Sequence, residues 1–441
     1  MNVLLVGNGA REHCIAEALT RSGRVSVYAY GKAKNPGILQ LAQHYRQGAL
    51  NAIQSVVEYA NEVKPDFAVI GPDDPIADGV ADALLELGIH SVAPLRTVAR
   101  LESSKSFTRD LVEKYQIPGN PKFKVFYDTK GLADYIRELD VAMGGFVIKA
   151  DGLTGGKGVK VSGDHLASVE EGEAYARECL EKSGRVVVEE KFIGQEFSLM
   201  SFVDGRNVSD MPPVQDHKRA FEGDRGPNTG GMGSYSDANH LLPFLTRKDV
   251  EDAHEITVRV AQALFEETGV LFKGIMYGGF IAVKDGVRLI EYNARFGDPE
   301  VMNVLPILKT DFVEICEAIL AGRLHQLKIE YENKATVCKY VVPEGYPDKP
   351  KFGEKIEIDG SKIPDGVKMY YSSVDQRDDG LYLSASRAVA FVGIADTLPV
   401  AEQAAEQAVN AVKGPVFHRA DIGTEGLIRK KISHMKQVRG H

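Results

Sequence analysis

The first hundred residues alternate short apolar runs with helical patterns, and this alternation limits the fold more than any other feature of the chain. The runs at 3–6, 25–30 and 67–71 read as buried strands, and a helical pattern covers 76–87. Strands that are joined through helices form parallel sheets. The sequence therefore predicts an α/β fold that opens with a parallel sheet, and Pro94 ends this block.

The first strand leads into GNGAREH, residues 7–13, which reads as a glycine turn at the start of a helix. Such a turn can hold a phosphate, because its N–H groups and the helix dipole point at the anion. A dinucleotide site would have a third glycine where Glu12 stands, and an acidic residue about 20 positions on, where residues 28–32 have none. We therefore expect Gly9 and Arg11 to bind a monophosphate, with a purely structural turn as the alternative.

The composition is that of a folded protein, with 44% hydrophobic and 26% charged residues. A net charge of -9 argues against general nucleic-acid binding. The four cysteines form no CxxC pair, which disfavours a zinc ribbon or a redox motif. We see no signal peptide and no apolar run of the roughly 18 residues that a membrane span needs. We expect a cytoplasmic protein that acts on small molecules, without nucleic-acid or membrane partners.

A glycine-rich hairpin spans residues 146–161, FVIKADGLTGGKGVKV. It is not the GxxxxGK[ST] pattern of a P-loop. Its glycines permit close approach of the backbone to a ligand and let the loop move. Lys149 lies on the first strand, where its ammonium could reach a triphosphate. A solvated flexible turn is the alternative.

The strand predicted at 186–190 ends in two glutamates, within VVVEEKFIGQEFS, and Glu196 follows it. Glu189 and Glu196 could accept hydrogen bonds from an adenine amino group or a ribose hydroxyl. A solvated sheet edge would have the same composition, so this motif alone does not distinguish a nucleotide site from an exposed strand.

The segment RLIEYNARFGDPE, residues 288–300, carries a candidate metal site. Glu291 and Asn293 are two apart on a predicted strand and therefore face the same side, while Tyr292 faces the other. Two oxygen ligands suit Mg²⁺, which takes a few protein ligands plus substrate phosphates. Arg295 follows, where it could meet phosphate oxygens.

Residues 215–236, QDHKRAFEGDRGPNTGGMGSYS, are polar, rich in glycine and long for a loop without structure. Long loops of this kind are more often functional than mere connections. We expect this segment to contribute to a binding or catalytic site.

In order, these motifs resemble an ATP-grasp ligase. Within that superfamily, GNGAREH, GPDDP at 71–75, QDHKR, GPNTGGMG and RFGDPE resemble the phosphoribosylamine–glycine ligase family, also called glycinamide ribonucleotide synthetase. The similarity covers residues 3–423. It implies an N-terminal parallel-sheet pre-ATP-grasp domain at 1–102, an ATP-grasp domain at 103–325 with a mobile lid at about 122–191, and a C-terminal mixed α/β domain at 326–441.

The resemblance implies that ATP drives the ligation of glycine to 5-phosphoribosylamine through glycyl phosphate, a reaction of de novo purine synthesis. The products are glycinamide ribonucleotide, ADP and phosphate, and Mg²⁺ or Mn²⁺ assists. The implied site residues are metal ligands Glu291 and Asn293; catalytic Arg295, Lys149, Asp216 and Lys218; ATP contacts Lys105, Lys149, Gly155, Gly156, Lys157, Gly158, Glu189, Phe192 and Glu196; and substrate contacts Gly9, Arg11, Asp216, Asn228, Thr229, Gly230 and Arg295.

Two segments depart from the family pattern. YGKAKNPG at 30–37 replaces the usual Ala-Pro-Gly-Asn, which leaves the phosphoribosylamine contacts open, and SYSD at 234–237 replaces Ala-Tyr-Ser-Pro. Another ATP-grasp ligase or carboxylase, a nicotinamide oxidoreductase and a nucleotide sensor are the alternatives. We expect a monomer, and we expect residues 429–439 to be a helix end and a solvated tail.

Overall fold

The computed structural model describes residues 1–155 and 158–440, so the predicted ATP contacts Gly156 and Lys157 lie outside the described residues. The N-terminal elements are β1 (Asn2–Val6), α1 (Ala10–Thr20), β2 (Ser26–Gly31), α2 (Pro36–Leu41), β3 (Ala42–Gln47), α3 (Ile53–Val63), β4 (Phe67–Ile70), α4 (Asp73–Asp78), α5 (Val80–Glu86), β5 (Ser91–Val92) and α6 (Arg96–Ser103). They form a parallel sheet in the order β3-β2-β1-β4-β5, which confirms the predicted opening sheet.

The helix predicted at 76–87 is two helices in the structure. Gly79 ends α4 with φ +95°, a left-handed conformation that glycine adopts readily, and α5 begins at the next residue. Ser104 caps the helix that follows α6, since its side chain accepts from Phe107 N.

A small unit with its own core follows. Its elements are α7 (Lys105–Lys114), β6 (Phe123–Phe126), α8 (Leu132–Met143), β7 (Phe146–Ala150), β8 (Val159–Val161), α9 (Val169–Ser183) and β9 (Val186–Glu190). The strands make an antiparallel sheet in the order β6-β9-β7-β8. Leu132, Ile136 and Ile148 belong to a core that this sheet shares with α8 and α9. We call β6–β9 with α8 and α9 the lid.

The central elements are β10 (Gln195–Val203), β11 (Val208–Asp210), β12 (Gln215–Asp216), β13 (Arg219–Phe221), β14 (Arg225–Asn228), β15 (Gly233–Ser236), α10 (Arg247–Thr268), β16 (Gly274–Val283), β17 (Gly286–Asn293), α11 (Val301–Val304) and α12 (Phe312–Ala321). Strands β11, β10, β16 and β17 form an antiparallel sheet in that order. Helix α10 packs on this sheet through apolar residues at helical spacing, among them Ala253, Ile256, Val260 and Leu264.

The C-terminal elements are β18 (Ala335–Pro343), β19 (Lys355–Ile358), β20 (Lys368–Tyr371), β21 (Val374–Arg377), β22 (Gly380–Leu383), β23 (Val389–Ala395), α13 (Leu398–Val409), β24 (Val412–Lys413), β25 (Val416–Phe417) and α14 (Glu425–Arg439). One sheet runs β12-β15-β18-β23-β20. Residues 215–236 are therefore not a structureless loop: β12 and β15 join this C-terminal sheet, and β13 pairs with β14 in a hairpin.

The expectation of a solvated tail at 429–439 is wrong. The 15-residue helix α14 buries Leu427, Ile428 and Met435, which lie on one helical face. Arg439 Nη2 donates to Asp249 Oδ1 at 2.6 Å and holds the end of α14 against α10. Among the described residues, no helix combines the length and the apolar character that crossing a membrane requires.

Candidate active site

A cavity of about 710 Å³ lies between the lid, the central sheet and the C-terminal sheet. It gathers motifs that are far apart in the sequence. Of the predicted site residues that the structure describes, all but Gly9 and Gly158 line it. The fold therefore brings most of the predicted site residues together around one cavity.

Lys149 lies at the lid side of the cavity and is almost fully buried. Its Nζ lies 2.7 Å from Glu189 Oε2 and donates to Ile290 O at 2.8 Å. Arg109 Nε donates to Glu189 Oε1 at 2.6 Å. Burial alone would raise the pKa of the Glu189 carboxyl, but Arg109 and Lys149 more than offset this and hold it below its usual value. Glu189 is thus an ionised bridge between two cations.

Lys105 stands at the start of α7, beside the glycine-rich loop. Its Nζ donates to Gly152 O at 2.8 Å, and its backbone N–H donates to Asp151 Oδ1 at 2.5 Å. Ser106 Oγ donates to Asp151 Oδ2 at 2.7 Å. The Asp151 carboxylate therefore ties the glycine-rich loop to the N-terminus of α7, and it places Lys105 at the cavity wall.

Glu291 and Asn293 face the cavity from β17, as predicted. Tyr292 is buried against α10, where it shares a hydrogen bond with Thr257. Lys218 Nζ lies 3.7 Å from Glu291 Oε1. Burial would raise the pKa of Glu291, but Lys218 and further cations hold it below its usual value. An ionised carboxylate and an amide oxygen on one face are hard oxygen donors.

Arg295 is held at the cavity by its neighbours. Its Nη2 lies 2.9 Å from Glu102 Oε1 and donates to Asn293 Oδ1 at 3.4 Å. Its buried Nε has no hydrogen-bond partner among the described residues. The guanidinium therefore keeps an unused donor beside Glu291 and Asn293.

Asp216 and Glu300 are two neighbouring carboxyl groups at the cavity. Tyr277 Oη donates to Glu300 Oε1 at 2.7 Å, and His217 N donates to Asp216 Oδ1 at 2.7 Å. Burial raises the pKa of both carboxyls, and repulsion by Glu300 raises that of Asp216 further. Gly231, with φ +106°, lets the backbone pass close to this pair, since a Cβ there would lie 2.8 Å from Asp216 Oδ1.

The remaining polar substrate candidates lie on the loop after β14. Thr229 Oγ1 donates to Lys218 O at 2.8 Å and accepts from Gly231 N at 3.0 Å. The Thr229 hydroxyl thus shapes the loop, while Asn228 and Gly230 line the cavity beside it.

The hydrogen-bond donors of the turn at Gly9 bind other groups of the protein. Gly9 N donates to Glu12 Oε2 at 2.6 Å, and Arg11 Nε donates to Glu12 Oε1 at 2.6 Å. Arg11 Nη1 also donates to Phe296 O at 3.2 Å across to the central region. Glu12 is buried, and Gly71 makes room for it, because a Cβ at 71 would lie 2.1 Å from Glu12 Oε1. Gly9 N and Arg11 Nε thus bind Glu12 in this structure, and their contact with a phosphate stays a prediction.

Sequence reasoning missed several residues that line the cavity. Glu300 closes the RFGDPE motif but received no role, and Arg109 lies one helical turn after Lys105. Lys431 of α14 pairs with Asp224 of the β13–β14 hairpin, with Nζ 2.6 Å from Oδ2. The apolar spacing of α14 could have indicated a packed helix there. No sequence signal marks Arg387, which enters the cavity from the C-terminal sheet.

This architecture defines an ATP-grasp ligase: a small antiparallel lid and a larger antiparallel sheet enclose a cavity with buried lysines on one side and Glu291 with Asn293 on the other. The sequence matches the phosphoribosylglycinamide synthetase family models for the N domain over residues 1–102, the ATP-grasp (A) domain over 103–301 and the C domain over 336–425. The chain belongs to the phosphoribosylglycinamide synthetase family.

Individual relatives agree with this assignment. The chain is 49% identical to the phosphoribosylamine–glycine ligase of Methanocaldococcus jannaschii and 47% identical to that of Methanosarcina barkeri, with each match covering 100% of both chains. The solved phosphoribosylamine–glycine ligase of Thermotoga maritima is 28% identical, with a TM-score of 0.79 over 96% of this chain and 100% of that one.

A more distant structure shares the fold alone. It is the biotin carboxylase domain of Hydrogenobacter thermophilus 2-oxoglutarate carboxylase, in complex with MgADP and bicarbonate. It is 16% identical, with a TM-score of 0.72 over 99% of this chain and 93% of that chain.

Proposed function

We propose that this chain ligates glycine to 5-phosphoribosylamine at the expense of ATP and yields glycinamide ribonucleotide, ADP and phosphate. The observation that supports this most is the composition of the cavity wall. Residues 216–230, which carry the family motifs, meet the nucleotide-side residues Lys105, Lys149 and Glu291 around one space. The relatives with this name match along the full length.

A divalent cation, Mg²⁺ or Mn²⁺, fits beside Glu291 and Asn293. Within the described residues, no group of three or more His, Cys, Asp or Glu side chains is arranged to hold a metal ion. Two oxygen donors with a lowered carboxyl pKa suit a cation that takes its other ligands from phosphates and water. When bound, the cation supplies charge neutralisation at the transferring phosphoryl group.

In the first step, a glycine carboxylate oxygen attacks the γ-phosphorus of ATP, ADP leaves and glycyl phosphate forms. Phosphoryl transfer depends mostly on positioning and electrostatic stabilisation. Lys105 and Lys149 lie where they can neutralise the triphosphate, and the free Arg295 Nε can donate to the moving phosphoryl oxygens. Phe192 and Glu196 remain the proposed contacts of adenine and ribose.

In the second step, the acceptor amine attacks the acyl carbon, the C–O bond to phosphate breaks, and the amine loses a proton. Asp216 and Glu300 present carboxylate oxygens that can accept hydrogen bonds from an amino group. Lys218, between Asp216 and Glu291, can stabilise the acyl phosphate. The glycine-rich loop from Gly152 to Gly158 would cover the intermediate and exclude water.

Four further properties of the protein stay predictions from the sequence. These are the domain boundaries, the phosphate contacts of Gly9 and Arg11, the monomeric state and the cytoplasmic compartment. The family-model matches at 1–102, 103–301 and 336–425 support boundaries near 102 and 325.

Trapping the acyl phosphate tests the proposal. With ATP, Mg²⁺, glycine and hydroxylamine, the protein should form glycyl hydroxamate and ADP in equal amounts without phosphoribosylamine. Acetate in place of glycine is the control and should give no product. Hydroxamate formation that ignores the identity of the carboxylate would contradict the assignment to glycine.

A further inference from the structure

The loop between β25 and α14 carries a buried arginine that contacts the β13–β14 hairpin. Arg419 is 1% exposed, and its Nη1 donates to Arg219 O and to Asp224 Oδ1, both at 3.0 Å. Among the described residues, the cavity wall includes Arg219 and Asp224 but not Arg419. Any effect of Arg419 on the candidate site must therefore pass through the hairpin.

Asp421, from the same loop, completes this contact. Its Oδ1 accepts from Arg419 Nε at 2.9 Å, and its Oδ2 accepts from Arg419 Nη2 at 2.8 Å and from Gly223 N at 2.9 Å. Burial would raise the pKa of Asp421, but the bonds from Arg419 and Gly223 hold it below its usual value. The ionised carboxylate thus fixes the guanidinium through two parallel bonds and binds the turn of the hairpin directly.

The hairpin depends on such contacts for its position. Strands β13 and β14 form a two-stranded sheet of their own, and an isolated hairpin is at best marginally stable in water. Phe221 packs beside Phe417, with 6.1 Å between the ring centres, but its side chain stays 49% exposed. Asp224 in the turn has φ +55°, a left-handed conformation that is uncommon outside glycine. Polar contacts with the C-terminal region therefore hold the hairpin in place.

The loop that carries Arg419 is itself anchored to the C-terminal sheet. Lys339 on β18 is fully buried, and its Nζ donates to Ala420 O at 2.8 Å. The same Nζ donates to carboxylates of Glu402 and Glu406 on α13, each at 2.6 Å. Ile422 is buried as well. The loop is thus a fixed support to which the hairpin is tied.

The two ends of the hairpin lie at the acyl-phosphate side of the proposed site. Thr229 N donates to Lys218 O at 2.7 Å, which joins the residues that flank the hairpin. Lys218 and Asn228 both line the cavity, so a shift of the hairpin would displace them. The lysines proposed for the triphosphate, Lys105 and Lys149, lie on α7 and β7 and would keep their places.

We propose that Arg419 and Asp421 are positioning residues for the formation of glycyl phosphate. They hold the β13–β14 hairpin so that Lys218 and Asn228 meet the glycine carboxylate and the transferring phosphoryl group. The inference rests on the proposed ligase function and gives the C-terminal region a part in its first step.

The test measures glycyl hydroxamate formation from ATP, glycine and hydroxylamine in two variants. Arg419→Lys keeps the charge but loses the fork, and Asp421→Asn keeps the shape but loses the charge. In both, kcat/KM for glycine should fall about 10- to 100-fold while the KM for ATP changes less than about twofold, because a misplacement of about 1 Å costs up to about 100-fold. Amide hydrogen exchange at 219–228 should become faster in the same variants.

Arg439→Met is the matched control. It removes the 2.6 Å ion pair with Asp249 at the other end of α14, where both side chains are also largely buried. This variant should lower the free energy of unfolding in urea but leave kcat/KM for glycine per folded protein unchanged. The comparison separates a loss of stability from a loss of position.

Two results overturn the proposal. Folded Arg419→Lys and Asp421→Asn proteins with unchanged kcat/KM for glycine would show that the hairpin keeps its place without these contacts. Equal losses for glycine and ATP that follow the folded fraction would show that the two residues only stabilise the fold.

Failure of the proposed function would show differently, as a wild-type protein that forms no glycyl hydroxamate. Hydrogen exchange at 219–228 does not depend on turnover and still tests the contacts in that case. Exchange there that is equal in wild type, Arg419→Lys and Asp421→Asn would overturn the positioning role.

Discussion

Lys149 Nζ lies 2.7 Å from Glu189 Oε2, at the point where the lid meets the central sheet. Arg109 lies on the other oxygen of the same carboxylate, at 2.6 Å. The three side chains are 3–4% exposed and come from β7, β9 and α7. Glu189 therefore holds two cations at the lid side of the cavity. Its contact with adenine stays a prediction.

Glu189→Ala should destabilise the protein. It leaves Arg109 and Lys149 buried without a counter-charge, which costs about 3–5 kcal/mol in comparable sites. Urea unfolding measures the loss, and Glu190→Ala, at the partly exposed neighbouring position, is the control. If Glu189→Ala left the unfolding free energy unchanged and raised the KM for ATP, the result would support a contact of Glu189 with adenine instead.

Glu291→Gln should lower turnover at least about 100-fold, because the oxygen donor loses its charge at the metal position. The Mg²⁺ concentration for half-maximal activity should also rise. Glu251→Gln, on the exposed face of α10, is the control. Normal activity at ordinary Mg²⁺ would contradict the metal assignment.

Lys431→Met should loosen the β13–β14 hairpin, since it removes the 2.6 Å contact with Asp224. The pair is partly exposed, so the expected effect is about two- to fivefold faster hydrogen exchange at residues 219–228. Lys430→Met, at the adjacent exposed position, should have no effect. Equal exchange in both variants would mean that α14 does not hold the hairpin.

His13 should make stability depend on pH. Burial lowers the pKa of His13 to about 4, although Glu17 opposes this, and Nδ1 accepts from Tyr371 N at 3.0 Å. An unfolded histidine titrates near about 6.5, so between these values only the unfolded chain takes the proton. The contribution of neutral His13 to the free energy of unfolding is fully present above the unfolded pKa. It is lost as the pH falls towards the folded pKa of about 4.

Between pH 7 and pH 5 this single group should remove about 2 kcal/mol of unfolding free energy. His13→Gln keeps an acceptor for Tyr371 N and should flatten the dependence, whereas the exposed His325→Gln should not. Parallel pH profiles for wild type and His13→Gln would show that His13 is not held neutral.

Much of the fold could be predicted because its elements have strong local signals. The parallel opening sheet followed from apolar runs at 3–6 and 67–71, and Gly79 alone divided a helix whose apolar pattern continues across it. The burial of α14 against β10 and β16 was not predicted, because its charged residues outnumber Leu427, Ile428 and Met435, although the spacing of these three is helical.

The residues of the candidate site likewise divide into those that a local sequence pattern predicts and those that it does not. Glu291 and Asn293 share a face because of strand periodicity, which is local. Arg387 depends on contacts that no local pattern carries. Arg387 donates a hydrogen bond to Gly230, which lies 157 positions away in the sequence. Glu12 fills a space that Gly71 leaves open. The bonds of Glu12 to Gly9 N and Arg11 Nε are local, since Gly9 and Glu12 form the capping box at the start of α1.

The most direct test of the proposed function is phosphate release from Mg-ATP, together with amide formation, in four mixtures. These contain the protein alone, with glycine, with phosphoribosylamine, and with both substrates. The account predicts that phosphate release requires both substrates and that one glycinamide ribonucleotide forms for each phosphate. Release that needs neither substrate, or amide formation with an amine other than phosphoribosylamine at equal efficiency, would contradict it.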